Sequence, residues 1–262
     1  MSGRVVIVTG ASSGIGEATA RAFARAGDHV ILAARRAERL RELAAELSGS
    51  LAIPADLTKG EDITRVAAAT LEAFGQIDVL VNDAGTARYD WLERLSDDGI
   101  RYEILLNLIA PVLLTKAVLP AMQARRNGVI INVSSMAGRI GVPTMSIYNA
   151  AKFGLEGFSE ALRREVAPQG IRVCLVSPSG VRGTEFGRKG ERAHLAVRTP
   201  NWLRVHADHV AAAIVALADH PRPRRVMPRI FSATGWVNAL LPSVVDAVLT
   251  RRARSARRRL AR

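Results

Sequence analysis

Three places in the sequence hold residues whose type and spacing could do chemistry. The first is TGASSGIG, from Thr9 to Gly16, with glycines at Gly10, Gly14 and Gly16. A glycine turn lets the backbone come close to a pyrophosphate, and a helix N-terminus behind it favours negative charge. That is dinucleotide chemistry, and Ser12, Ser13 and Ile15 ride in the same loop. The second place is ILAARR. Sites for NAD usually put an acid at the end of the second strand, whereas an arginine nearby accommodates a 2′-phosphate. Here Ala34 leaves the acid position empty, and Arg35 and Arg36 follow. Guanidinium groups match phosphate oxygens bidentately, so the expected cofactor is NADP(H). The third is SIYNAAKFG, which sets Tyr148 and Lys152 four residues apart, one turn on a helix. The chain has four lysines against 33 arginines, so a lysine at this point departs from its own habit.

These residues need elements to position them. RVVIVTG, HVILAAR, LAIPAD, IDVLVND, GVIINVSS and IRVCLVSP read as strands, and RRVMP as a seventh. They are continuous apolar runs, the pattern of parallel strands covered on both faces. Helical patterns alternate with them: Ile15 to about Ala26, the leucines Leu40, Leu43 and Leu47, a stretch ending near Phe74, a long one from Gly99 to Arg126, and one carrying Tyr148 and Lys152 to near Pro168. Asp208 reads as an N-cap for HVAAAIVALA. The expected fold is α/β: a doubly wound parallel sheet of the Rossmann type, three layers α/β/α, in a single domain over residues 1–234. Residues 235–262 then form an amphipathic, arginine-rich C-terminal extension.

Together the motifs resemble the short-chain dehydrogenase/reductase family, in its single-domain branch, over roughly residues 3–230. TGASSGIG matches the family's TGxxxGxG, NDAG (Asn82 to Gly85) its NNAG, and YNAAK its YxxxK. Ser135 in INVSSMAG stands thirteen residues before Tyr148, and Asn107 in LLNLIAP matches the helix asparagine. The resemblance implies a catalytic set of Asn107, Ser135, Tyr148 and Lys152. Tyr148 would be the general acid in carbonyl reduction and the general base in alcohol oxidation. The Lys152 ammonium would pull the phenol below its ordinary pKa near 10 and bond the nicotinamide ribose. Ser135 would hold the substrate oxygen, and Asn107 a water relaying protons to Lys152. Cofactor contacts would add Asp56 and Leu57 of ADL, Asn82, Ala84 and Gly85, and Pro178, Val181 and Thr184 after the sixth strand. Two departures stand out: Asp83 replaces the second asparagine of NNAG, and PSGVRGT puts Ser179 where PGxVxT has glycine, with Thr184 one position late.

Glu185 to Val205 occupies the family's substrate-loop position and mixes Phe186, Leu195, Val197, Trp202 and Leu203 with arginines. It suits an apolar substrate with an acidic handle, such as an acyl thioester or a lipid-like or steroid-like ketone, or it is a basic lid without such specificity. His206 and His209 lack a third ligand pattern, so no metal is expected. The single cysteine, Cys174, sits in a buried-strand pattern and excludes an intramolecular disulfide, as suits a reducing compartment. The start of the sequence has no signal-peptide pattern, and no run of 18 apolar residues reads as a transmembrane helix. A cytoplasmic protein is expected.

Net charge is +13, and residues 251–262, RRARSARRRLAR, hold seven arginines and no acid. The apolar residues before them, Trp236, Leu240, Leu241, Val244, Val245, Val248 and Leu249, are spaced as one stripe. Peripheral membrane contact and packing against another subunit both fit; nucleic acid fits less well, because aromatic interleaving is missing. The leading expectation is an NADP(H)-dependent carbonyl reductase or alcohol dehydrogenase, acting on a small-molecule substrate and forming a homodimer or homotetramer. The alternative is a non-catalytic nucleotide-sensing or membrane-associated scaffold working through the basic tail.

Overall fold

A computed structural model describes residues 3–184, 186, 196–197 and 199–260. Seven parallel strands form one sheet in the order β3-β2-β1-β4-β5-β6-β9. They are β1 (Val5–Thr9), β2 (His29–Ala34), β3 (Leu51–Pro54), β4 (Val79–Asn82), β5 (Gly128–Val133), β6 (Ile171–Pro178) and β9 (Arg224–Met227). The order reverses between β1 and β4, so the carboxyl ends of those two strands open a crevice at the switch point. β1 is buried along its whole length because helices cover both faces. On one face Ile7, Ile31 and Leu80 pack with Leu114, Val118 and Met122; on the other Val6, Val8 and Leu32 pack with Phe23, Leu40 and Ile214.

The helices are α1 (Gly14–Arg25), α2 (Ala37–Glu46), α3 (Gly60–Phe74), α4 (Asp97–Ile104), α5 (Ala110–Arg125), α6 (Ser146–Val166), α7 (Ala207–Asp219), α8 (Thr234–Leu240) and α9 (Pro242–Leu260). The expected α/β architecture is what the chain adopts. Two local expectations are corrected and one element is added. The stretch from Gly99 to Arg126 is not one plain helix: residues Leu105–Ile109 form a π turn between α4 and α5, in which the Ala110 N–H bonds the Leu105 carbonyl five residues back. Asp208 does not cap α7, since His206 occupies the cap position and Asp208 lies inside the first turn. A short parallel pair, β7 (Val181–Arg182) with β8 (Val205–His206), closes the loop after β6; two-residue strands leave no periodic trace.

The stretch Asp97–Arg125 is long and apolar enough to cross a membrane by length and composition, 18 consecutive residues of it having a mean hydropathy of 1.9. It lies here in the helical layer, with Leu114, Val118 and Met122 in the core. Cys174 is buried on β6, and burial pushes its thiol up to about 11, so it behaves as a small core residue. Residues 185, 187–195 and 198 of the expected substrate loop, Leu195 among them, lie outside the described residues.

Candidate active site

The glycine loop joins β1 to α1 at the switch point. Gly10 and Gly14 have φ of 70° and 61°, a region closed to most side chains. A Cβ on Gly16 would stand 2.3 Å from the Gly10 carbonyl oxygen, so the turn closes only with glycine there. The Thr9 hydroxyl ties this loop to the next one by accepting the N–H groups of Asp83 at 2.9 Å and Ala84 at 3.0 Å.

A cavity of about 500 Å³ runs from this loop across the carboxyl ends of the strands. Of the expected cofactor residues, Gly10, Ser12, Ser13, Gly14, Ile15, Arg35, Arg36, Asp56, Leu57, Ala84, Gly85, Pro178, Val181 and Thr184 line it. Arg36 lies on the glycine loop, its Nε donating to Ser12 Oγ at 3.1 Å and its Nη2 to the Ser12 carbonyl at 2.8 Å. Arg35 donates to the Tyr102 hydroxyl at 2.7 Å. Asp56 accepts from the backbone N–H and the hydroxyl of Thr58. Two expected residues do not reach the wall. Gly16 sits beneath the loop. Asn82 points into the fold, where its amide donates to Asn132 Oδ1 at 2.8 Å and braces β4 against β5.

All four expected catalytic residues line the same cavity. Ser135 follows β5, where its Oγ accepts from the Ala137 N–H at 3.2 Å, and it lines the cavity beside Tyr148. Tyr148 and Lys152 project from the first turns of α6. The residue between them in YNAAK, Asn149, holds the segment after β5 in place: it donates to the carbonyls of Ala137 at 2.6 Å and Ile140 at 2.8 Å, and accepts from the Val142 N–H. Asn107 stands at the centre of the π turn. Its Nδ2 donates to the carbonyls of Thr86 at 2.8 Å and Glu103 at 2.9 Å, and its Oδ1 accepts from the Thr86 N–H. A widened turn breaks the regular ladder, and the asparagine amide takes up a carbonyl of that turn.

The electrostatics differ from the expectation that Lys152 lowers Tyr148. Burial raises the Tyr148 pKa, with Tyr89, Glu103 and Asp83 adding to the rise and the nearby Ser135 hydroxyl opposing it. Lys152 is itself lowered to about 8 by burial, against the pull of Asp83 and Glu156. The cause is shared desolvation: both groups are buried, and the ammonium donates to the Val133 carbonyl rather than to the phenol.

Three residues of this region were not among the expected site residues. Asp83 is half-buried at the cavity wall, and burial pushes its carboxyl up to about 7. Glu103 is fully buried; its Oε2 accepts from the Arg88 N–H at 3.2 Å, its Oε1 has no partner, and burial raises it to about 7. Tyr89 lines the cavity, and burial and Glu103 hold its pKa well above the ordinary phenol range. Glu103 left no signal in the sequence, because α4 is a mixed helix that also carries Asp97, Asp98 and Arg101.

The apolar part of the wall includes Leu106, Met136, Ile140, Val142, Met145, Phe186 and Val197. The Phe186 ring lies 5.9 Å from that of Tyr148, tilted by 50°. His206 and His209 face each other edge-on at 5.9 Å.

The family model for short chain dehydrogenase matches residues 4–194. The chain belongs to the short-chain dehydrogenase/reductase family. A relative in Anopheles gambiae, dehydrogenase/reductase SDR family protein 7-like, is 35% identical over 97% of this chain and 84% of its own. A Synechocystis 3-oxoacyl-[acyl-carrier-protein] reductase is 32% identical over 90% of this chain and 97% of its own. Among solved structures, a short-chain dehydrogenase from Streptomyces avermitilis superposes with a TM-score of 0.80 at 35% identity, covering 98% of both chains. An alcohol dehydrogenase from Thermococcus sibiricus, complexed with 5-hydroxy-NADP, gives 0.77 at 28% identity over 86% of this chain and 95% of that one. Membership makes this short-chain dehydrogenase/reductase an oxidoreductase with a seven-stranded Rossmann fold, and the non-catalytic scaffold alternative is not favoured.

Proposed function

We propose that the protein is an NADP(H)-dependent oxidoreductase that interconverts an apolar ketone or aldehyde with its alcohol. The observation that carries the reading is that Asn107, Ser135, Tyr148 and Lys152 converge on the wall of the same cavity that the glycine loop opens onto. The glycine loop and the α1 N-terminus fit a pyrophosphate, because a side chain on Gly16 would collide with the loop backbone. Arg35 and Arg36, at a strand end without an acid, fit a 2′-phosphate, and the Thermococcus structure with 5-hydroxy-NADP supports that choice. When bound, the nicotinamide exchanges the hydride.

The side chains do the rest. Ser135 holds the substrate oxygen, and Tyr148 gives it a proton in reduction or takes one in oxidation. The positive charge of Lys152 favours the phenolate when the phenol has lost its proton. The apolar wall excludes water and favours a lipid-like or acyl substrate, and Arg204 at the rim suits an acidic handle. The Synechocystis relative, named for an acyl-carrier substrate, supports that class. Leu105, Ile109 and Leu113, spaced by four on the π turn and α5, and Phe153 on α6 are exposed apolar residues, and a second copy of the chain is their proposed cover. The core 1–234 is proposed to carry the chemistry, in the cytoplasm or at a membrane surface.

The test is a panel of ketones and alcohols scored by NADPH or NADP+ absorbance, followed by Tyr148→Phe on the best substrate. Loss of about 10²–10⁴-fold in turnover is expected. Wild-type turnover in the variant would sink the assignment.

A further inference from the structure

The C-terminal helices α8 and α9 present two different faces. On α9 the half-buried Val245, Leu249 and Ala253 and the buried Ala256 share one side. Arg257 fixes that end of the helix, lying 4.0 Å over the Trp91 ring and bonding Glu93 at 2.9 Å. The other side points to water. Leu241, Val244 and Val248 are exposed at helical spacing, and the same stripe continues as Arg251, Arg252, Arg258 and Arg259, all exposed. Trp236 and Leu240 on α8 add large apolar side chains that are 69% and 73% exposed. One outer face thus changes from apolar to cationic along its length, with Asp246 the acid of α9.

A core-facing stripe would not end in four exposed arginines, and a purely solvated face would not carry an exposed tryptophan and leucine. Apolar insertion beside guanidinium groups is the pattern of a helix lying in the interface of an anionic bilayer. Charge complementarity favours that occupant over a second copy of this chain. Two such faces would bring like-charged arginine clusters together.

We propose that the outer face of α8 and α9 docks the protein on the surface of a membrane containing anionic lipid. The helix lies in the interfacial plane, Trp236, Leu240, Val244 and Val248 enter the acyl boundary, and the arginines meet lipid phosphates. The inner face keeps the catalytic body attached, because Arg257 grips Trp91, two residues beyond the cavity-lining Tyr89. This inference does not depend on the proposed reaction.

The full-length protein is mixed with vesicles of phosphatidylcholine alone, or with about one-third phosphatidylglycerol, and flotation is measured at low and high salt. Binding is expected only to the anionic vesicles, and it weakens with salt. The variant with Arg251, Arg252, Arg258 and Arg259 all changed to Gln should lose about tenfold or more in partition. Val244→Ser combined with Val248→Ser should lose a comparable amount, which attraction by charge alone would not produce. Trp236→Phe should abolish a blue shift of tryptophan emission seen on binding. Circular dichroism and melting temperature confirm that each variant is folded. The proposal fails if the folded wild type stays with neither vesicle, or binds both equally. It also fails if duplex DNA at the same salt outcompetes the vesicles, or if the Val244 and Val248 changes convert a dimer to a monomer without altering flotation.

Discussion

The ammonium Nζ of Lys152 donates to the Val133 carbonyl oxygen at 2.9 Å and lies 5.6 Å from the centre of the Tyr148 ring. A backbone acceptor at the end of β5 therefore places the cation over the phenol. Arginine carries the same charge on a larger planar group that cannot occupy this buried spot in the same way. Lys152→Arg is expected to lower turnover about 100-fold or more while the fold is retained, and Lys152→Met to lower it further. Steady-state kinetics with circular dichroism check both. Wild-type kcat in the arginine variant would show that the strand-end contact has no part in the reaction.

Arg36 rests on Ser12 of the glycine loop, and Arg35 on Tyr102. Both stand at the strand end where a 2′-phosphate would give them charge-assisted bonds. Arg36→Ala, and more so the double change with Arg35→Ala, should weaken NADPH binding about 10–100-fold and leave NADH binding near its starting value. Fluorescence titration with the two nucleotides measures the ratio. Equal losses for both would mean that the arginines shape the loop and do not read the phosphate.

Glu103 gives a pH dependence with a definite sign. Burial lifts it from 4.5 to about 7, so the folded chain holds this proton where the unfolded chain has released it. The stabilisation is complete below about pH 4.5 and is lost as pH rises through about 7, a swing on the order of 3 kcal/mol at most. Asp83, lifted to about 7, acts in the same direction. Glu103→Gln keeps the shape and removes the charge. Its melting temperature should fall less between pH 5 and pH 8 than that of the wild type, about half as steeply if Asp83 supplies the rest. Identical slopes in calorimetry would refute the assignment.

The sheet was legible because β1, β2, β4, β5 and β6 are buried on both faces and so must be apolar throughout. The cavity was legible where chemistry demands a residue type: glycine where a Cβ would collide, and the hydroxyls of Ser135 and Tyr148 on the cavity wall. What escaped depends on packing rather than type. Whether the Lys152 ammonium meets the phenol or the Val133 carbonyl is set by a strand end far away in sequence. The π turn around Asn107 has the same local composition as an ordinary helix. The inward turn of Asn82 depends on Asn132, fifty residues on. Glu103 was not visible at all: it is one of three acids in the mixed helix α4, with nothing nearby to say what it would face.

Gly16 is the sharpest test of the cofactor cradle. An alanine Cβ there would stand 2.3 Å from the Gly10 carbonyl oxygen and 3.0 Å from the Ala11 nitrogen. Both neighbours are backbone, so neither can swing aside, and the loop itself must move. Gly16→Ala should therefore cost about 2–3 kcal/mol of stability and remove most NADPH binding. Gly60→Ala is the control: no atom lies within 4 Å of the added Cβ, at the first residue of α3. It should leave binding unchanged and stability equal or slightly higher, because alanine restricts the unfolded chain. Thermal unfolding and NADPH titration of the pair separate the two effects, and a Gly16→Ala protein that binds NADPH like the Gly60→Ala control would show that the cradle is elsewhere.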